Sequence, residues 1–169
     1  MRNFAFMAVL AAAMPAYAVP AHAELVGAGR ASVIADIVKA QGMKADIKQT
    51  TGEPDYIESS HDGLKYLILF MNCDDSQRNC KTIQFYMGYN DAKDTTLDEL
   101  NVWNREKRFA RAYRDDEGDP VLEMDLDLDF NGIPRENVGE ALNTWKALME
   151  AFQTHIHGDE SSATKSSSS

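Results

Sequence analysis

The residues best suited to chemistry here are the cations Arg105, Lys107, Arg108, Arg111 and Arg114, gathered in a chain whose formal charge is −10. Guanidinium groups brought together in this way can hold an anionic ligand through charge-assisted hydrogen bonds. The acidic run that follows them, Asp115, Asp116, Glu117 and Asp119, offers intramolecular partners instead. Solvated pairs of that kind contribute little, and pairing within the chain is the stronger reading. A small-anion sensor or an enzyme built on Arg105 to Arg114 stands as the alternative function.

Two other groups could bind metal. Asp127-Leu128-Asp129-Phe130-Asn131-Gly132 starts like a calcium loop, with alternating oxygen ligands and Gly at the sixth position. Its twelfth position is Val138, where a bidentate Glu is needed, and Pro134 stiffens the loop. His155 and His157, two apart on a helix, point to different faces, and His61 falls in a turn. No nucleophile elbow, phosphate-binding glycine loop or Cys-His pattern occurs. The expectation is a protein without metal, cofactor or catalytic residues, that is, not an enzyme.

Cys73 and Cys80 are the two cysteines, placed at the facing ends of two strand-like runs. At that spacing, in an exported chain, they should form a disulfide, and closing so short a loop is worth about 2.5 kcal/mol. The two-residue spacing of a redox pair is absent, and the intervening loop holds no His.

Export is expected from the first residues. Met1-Arg2-Asn3, the apolar run from Phe4 to Met14 and the small-x-small triplet Ala21-His22-Ala23 are the parts of a secretory signal peptide. Ala16-Tyr17-Ala18 offers a second cleavage site, and the apolar run is too short to span a bilayer. Loss of residues 1–23 removes one charge, Arg2, and moves the balance to −11. So acidic a product repels nucleic acid phosphates and anionic membrane surfaces. Nucleic acid and a membrane span are therefore excluded as expectations. Residues 158–169, small and polar, should be a disordered tail, which leaves 24–157 as one domain.

The elements that would position these groups follow from periodicity. Val33, Ile34, Ile37 and Val38 recur at helical spacing before Gly42. Short strands follow at 45–48 and 56–59, and Asp62-Gly63 marks a tight hairpin. The run from Lys65 to Asn72 is apolar on both alternating faces, which predicts a central strand covered on two sides. Residues 82–89 alternate cleanly.

Thr96-Leu97-Asp98-Glu99 reads as a capping box opening a helix with Leu97, Leu100 and Trp103 on its stripe. A strand is expected from Phe109 to Arg114. The next alternates Leu122, Met124, Leu126, Leu128 and Phe130 with Glu123, Asp125, Asp127 and Asp129. Pro134 then opens a helix whose stripe runs from Val138 through Trp145 and Phe152 to Ile156. The class is α+β, an antiparallel sheet flanked by helices in the order α-β-β-β-β-α-β-β-α.

One helix cannot cover both faces of the strand at 65–72, so part of the sheet should remain open as a contact surface. Candidate contacts are Tyr66, Ile68, Phe70 and Tyr86. The competing expectation is that residues 24–29 fold over this face.

The exported start, the pair Cys73 and Cys80, Phe85-Tyr86, the run Asn101-Val102-Trp103-Asn104-Arg105-Glu106-Lys107-Arg108-Phe109 and Glu117-Gly118-Asp119-Pro120 together resemble the YbjN domain family of bacteria. The likeness covers about Leu25 to Ile156, and Trp-Asn followed by Arg-Phe is its most specific part. It implies a fold similar to the type III secretion chaperones and the label of a sensory transduction regulator, which names no reaction. Chaperones of that fold are dimers that hold extended clients, so the resemblance implies a homodimer or a protein client as partner. The expected function is that of an exported, non-enzymatic binding, chaperone-like or regulatory protein.

Mass spectrometry of periplasmic material should find Cys73 and Cys80 oxidised and residues 1–23 gone. Two free thiols or an intact Met1 would defeat that expectation.

Overall fold

A long amphipathic helix needs an apolar surface to lie on, and here the partner is a six-stranded antiparallel sheet. The computed structural model describes residues 24–27 and 29–158. The expected signal peptide and nearly all of the expected tail lie outside the described residues.

The elements are β1 (Leu25–Val26), α1 (Ala31–Ala40), β2 (Lys44–Lys48), β3 (Tyr56–His61), β4 (Leu64–Met71), β5 (Thr82–Gly88), α2 (Leu97–Glu106), β6 (Arg111–Arg114), β7 (Pro120–Asp127), β8 (Ile133–Pro134) and α3 (Arg135–His157). The strands of the sheet run β2-β3-β4-β5-β7-β6, every neighbour antiparallel. Apart from the two-residue strands β1 and β8, which pair with each other, this is the expected order.

All three helices lie on one side. Val138, Leu142, Trp145, Met149 and Phe152 of α3 are fully buried. Trp145 stacks on Phe85 at 5.7 Å between ring centres and meets Tyr66 edge-on at 6.1 Å. Each such side chain, fully buried, is worth about 1.5–3 kcal/mol. α1 lies beside α3, and Gln41 ties them, its Nε2 donating to the Gly139 carbonyl at 3.0 Å and its Oε1 accepting from Lys146 at 3.3 Å. α2 meets α3 where the Trp103 and Phe152 rings pack 4.8 Å apart.

The helix ends follow local rules. Thr96 Oγ1 accepts from the Glu99 amide at 3.2 Å while Glu99 returns a carboxylate to the Thr96 amide at 2.6 Å, the expected capping box. The β3–β4 hairpin turns on Asp62 and Gly63, both at positive φ, the geometry that favours Asp-Gly.

Four expectations change. The strand at β4 is covered on one face only, so its second apolar row stays half-exposed. Leu97, expected on the stripe of α2, is exposed. Phe109 stands at φ +74 and is exposed, so the fifth strand of the expected order starts two residues late. Phe130, expected to continue the core side of β7, is 95% exposed, because the strand ends at Asp127 and the chain turns through Phe130 at φ +58.

Asn104 clamps the sheet edge. Its Nδ2 donates to the Ala112 carbonyl and its Oδ1 accepts from the Ala112 amide, both at 2.8 Å, so one amide side chain satisfies both outward backbone groups of Ala112 on β6. Next to it, Trp103 is fully buried. Asn104→Ala should therefore cost about 2 kcal/mol of unfolding free energy in urea titration. It should also speed amide exchange at Ala112. Unchanged stability and exchange would show that the clamp contributes nothing.

Candidate functional site

Strand alternation sends every second side chain to the face away from the helices. One row on this face crosses five strands, Glu58, Leu67, Tyr86, Glu123 and Arg111, and the next holds Tyr56, Leu69, Gln84 and Asp125. The face has two characters. Over β4 it is apolar, with Leu67 and Leu69 half-buried and Met71 41% exposed, beside Tyr56 and Tyr86. Over β6 and β7 it is a bonded polar network.

Glu123 centres that network and is buried, although it lies on the helix-free side. Its carboxylate accepts from Arg111 Nε at 2.9 Å, from Arg111 Nη2, and from the Tyr113 hydroxyl at 2.7 Å. A buried carboxylate persists only when its lone pairs are so occupied. Burial and the Glu123 carboxylate push the Tyr113 hydroxyl well above the ordinary phenol range. Burial, then the negative charge of Asp115, Glu123 and their neighbours, raises Tyr86 too. Gln84 Nε2 adds a bond to Asp125 at 3.0 Å.

The cations weighed as an alternative anion site do not converge. Arg111 is committed to Glu123, Arg114 Nη2 reaches the Lys93 carbonyl at 3.4 Å, and Arg105 lies 3.7 Å from Glu106. Lys107 stands over the Trp103 ring and Arg108 over the Phe109 ring. A helix that gives way to a strand turns these side chains in different directions.

Of the expected contact residues, Tyr66, Ile68 and Phe70 are corrected. All three are buried on the helical face, with Tyr66 edge-on to Trp145 and the Phe70 ring against Gly29. The parity of β4 puts Leu67, Leu69 and Met71 on the open face instead, and Tyr86 does lie there. Nor does the segment from Glu24 cover that face. β1 pairs with β8, and Gly29 lies against the Phe70 ring and donates to the Cys80 carbonyl, on the helical side. Glu123 and Tyr113 were not singled out by the sequence reading. The cue was Arg111 and Tyr113 alternating on one strand with a single facing acid, hidden among three other acids of the same stripe.

Cys73 and Cys80 are joined in a disulfide. The loop between them is organised by Asp74, which accepts from Ser76 Oγ at 2.6 Å, the Ser76 and Arg78 amides at 3.0 Å and Asn79 Nδ2 at 2.6 Å. Together with the β2–β3 turn, this loop walls a cleft of about 820 Å³ lined by Arg30, Gln49, Glu53, Phe70 and Arg78 among others. In the calcium-like stretch, Asp127 accepts from the Asp129 amide and Asp129 from the Phe130 amide, while Lys81 Nζ lies 3.4 Å from Asp129. Those carboxylates serve a turn.

An antiparallel sheet with helices on one face and a half-apolar, half-polar open face defines an α+β protein with a surface to offer. The chain belongs to the YbjN family, whose model matches residues 30–158 and carries the description "Putative bacterial sensory transduction regulator". No curated protein matches the chain. Among the described residues, no helix is long and apolar enough to cross a membrane.

The Asp74 loop makes a pH prediction. Its donors, Ser76 first, hold the carboxyl at about 2, below its ordinary value of 3.8. A depressed carboxyl contributes order that is present above the ordinary value and lost as pH falls through the depressed one. NMR of the Asp74 carboxyl carbon should titrate near 2, and Ser76→Ala should move that midpoint upward. A midpoint near 4 in the unsubstituted protein would refute the assignment.

Proposed function

We propose that the protein is an exported, non-enzymatic binding protein that receives an extended protein segment on the helix-free face of its sheet. The observation that carries this is the row Leu67, Leu69 and Met71, left open beside Tyr56 and Tyr86 on a sheet whose other face is filled by helices. An open apolar row rimmed by polar groups marks a contact surface. The polar half supports binding over catalysis, because Arg111, Tyr113 and Glu123 are bonded to one another and leave no poised acid or base. Export is supported by the composition of residues 1–23 and agrees with a disulfide near the rim.

A second copy of the chain is the competing occupant. On the open face Lys44 pairs with Asp46 and Lys48 with Glu58 on one side of the apolar row, and Arg111 pairs with Glu123 on the other. A two-fold axis through the middle strands would lay the apolar rows of two copies against each other. The small-anion sensor built on Arg105 to Arg114 finds no support, since those side chains have separate partners.

Leu69→Asp should leave the melting temperature within a few degrees and abolish capture of proteins from bacterial envelope extract by the monomer. Sedimentation over a wide concentration range separates the occupants: a dimer that Leu69→Asp dissociates assigns the face to a second copy. A strict monomer whose capture profile is indifferent to Leu69→Asp would end the proposal.

A further inference from the structure

Away from the open face, the β3–β4 hairpin touches α3 through polar groups. His61, the last residue of β3, sends Nε2 to within 3.2 Å of Glu150 Oε1 and 3.8 Å of Asp62 Oδ2, and one donor atom from each residue lies within 4.8 Å of the other two. We propose that His61, Asp62 and Glu150 form a binding site for one borderline divalent transition cation, of which Zn²⁺ is the working example.

The spacing suits the ion. Zinc holds imidazole nitrogen and carboxylate oxygen at roughly 2.0–2.2 Å, so neighbouring ligands of a tetrahedral site stand about 3.3 Å apart. His61 and Glu150 already do, and Asp62 needs a small side-chain rotation. One imidazole with two carboxylates selects such a cation over magnesium or calcium, which take oxygen alone. Three protein ligands leave a fourth position to water, and the exposure of Asp62 and Glu150 gives the ion a way in.

The ligands are also carried by firm supports and left free to bind. Asp62 sits in a two-residue turn fixed by its positive φ and that of Gly63. Glu150 projects from α3 between the fully buried Met149 and Phe152. Lys146, one turn before Glu150 and its ordinary helical partner, bonds to Gln41 instead. Among the described residues, neither Glu150 nor Asp62 is paired with a Lys or Arg, so two carboxylates share one imidazole. A bound ion would neutralise this excess and staple the hairpin to the helix that covers the sheet.

Calorimetric titration of the full chain with ZnCl₂ at pH 7.5 tests the site. One ion per chain is expected, with a rise in melting temperature that MgCl₂ and CaCl₂ do not produce. His61→Ala and Glu150→Gln should each weaken binding at least tenfold. The double variant His155→Ala/His157→Ala should bind as the unsubstituted chain does. Absence of saturable binding, or binding that survives in His61→Ala and disappears in the double variant, would overturn the proposal.

Discussion

The structure depends on burying one helical stripe. Val138, Leu142, Trp145, Met149 and Phe152 are each fully removed from water, and they are the largest apolar surface any helix here offers. α1 and α2 have ten residues each against the twenty-three of α3, and both pack beside it on the same side. Nothing of that kind is left among the described elements for the opposite face. That face must therefore be shielded by its own side chains, which is why Tyr113 and Arg111 close over Glu123 and bury a carboxylate on a helix-free surface. The arrangement on one side of the sheet sets the chemistry on the other.

Legibility in the sequence tracked how unambiguous each pattern was. The stripe of α3, the Thr96–Glu99 cap and the Asp62-Gly63 turn each combine a period with a terminal signal, and each stands where it was read. β4 could not be oriented, because Leu, Ile, Phe and Met occupy both parities and alternation then carries no sign. Phe109 and Phe130 look like core residues by spacing, yet both stand at positive φ in turns, which periodicity cannot detect. β1 and β8 are two residues each, too short to have a period. The arginine cluster dispersed because proximity in sequence says nothing about direction once a helix gives way to a strand.

The most specific run of the family resemblance has an architectural explanation in this chain. Trp103 fills the junction between α2 and α3, and Asn104 replaces a missing strand by bonding both backbone groups of Ala112. Residues that do this explain why the fold exists and say little about what it acts upon. Membership of the YbjN family accordingly carries architecture further than it carries chemistry. The groups that distinguish one surface from another, Leu67, Leu69 and Met71 with their ion-paired margins, lie outside that run.

The sheet joins β5 to β7 over seven residue pairs, although α2 and β6 lie between them in the chain. β4 and β5 can pair across their short loop before β7 and α3 are in place, but β5 is then an outer strand, with Ile83, Phe85 and Met87 lacking the helix that covers them. That helix is the last of the described elements in chain order. A chain that lacks β7 and α3 would present bare apolar side chains and an unpaired backbone rim, the state most open to misassociation. Folding of this domain is consequently a C-terminal event, and a chain shortened before Arg135 retains the hairpins without the surface that makes them a sheet.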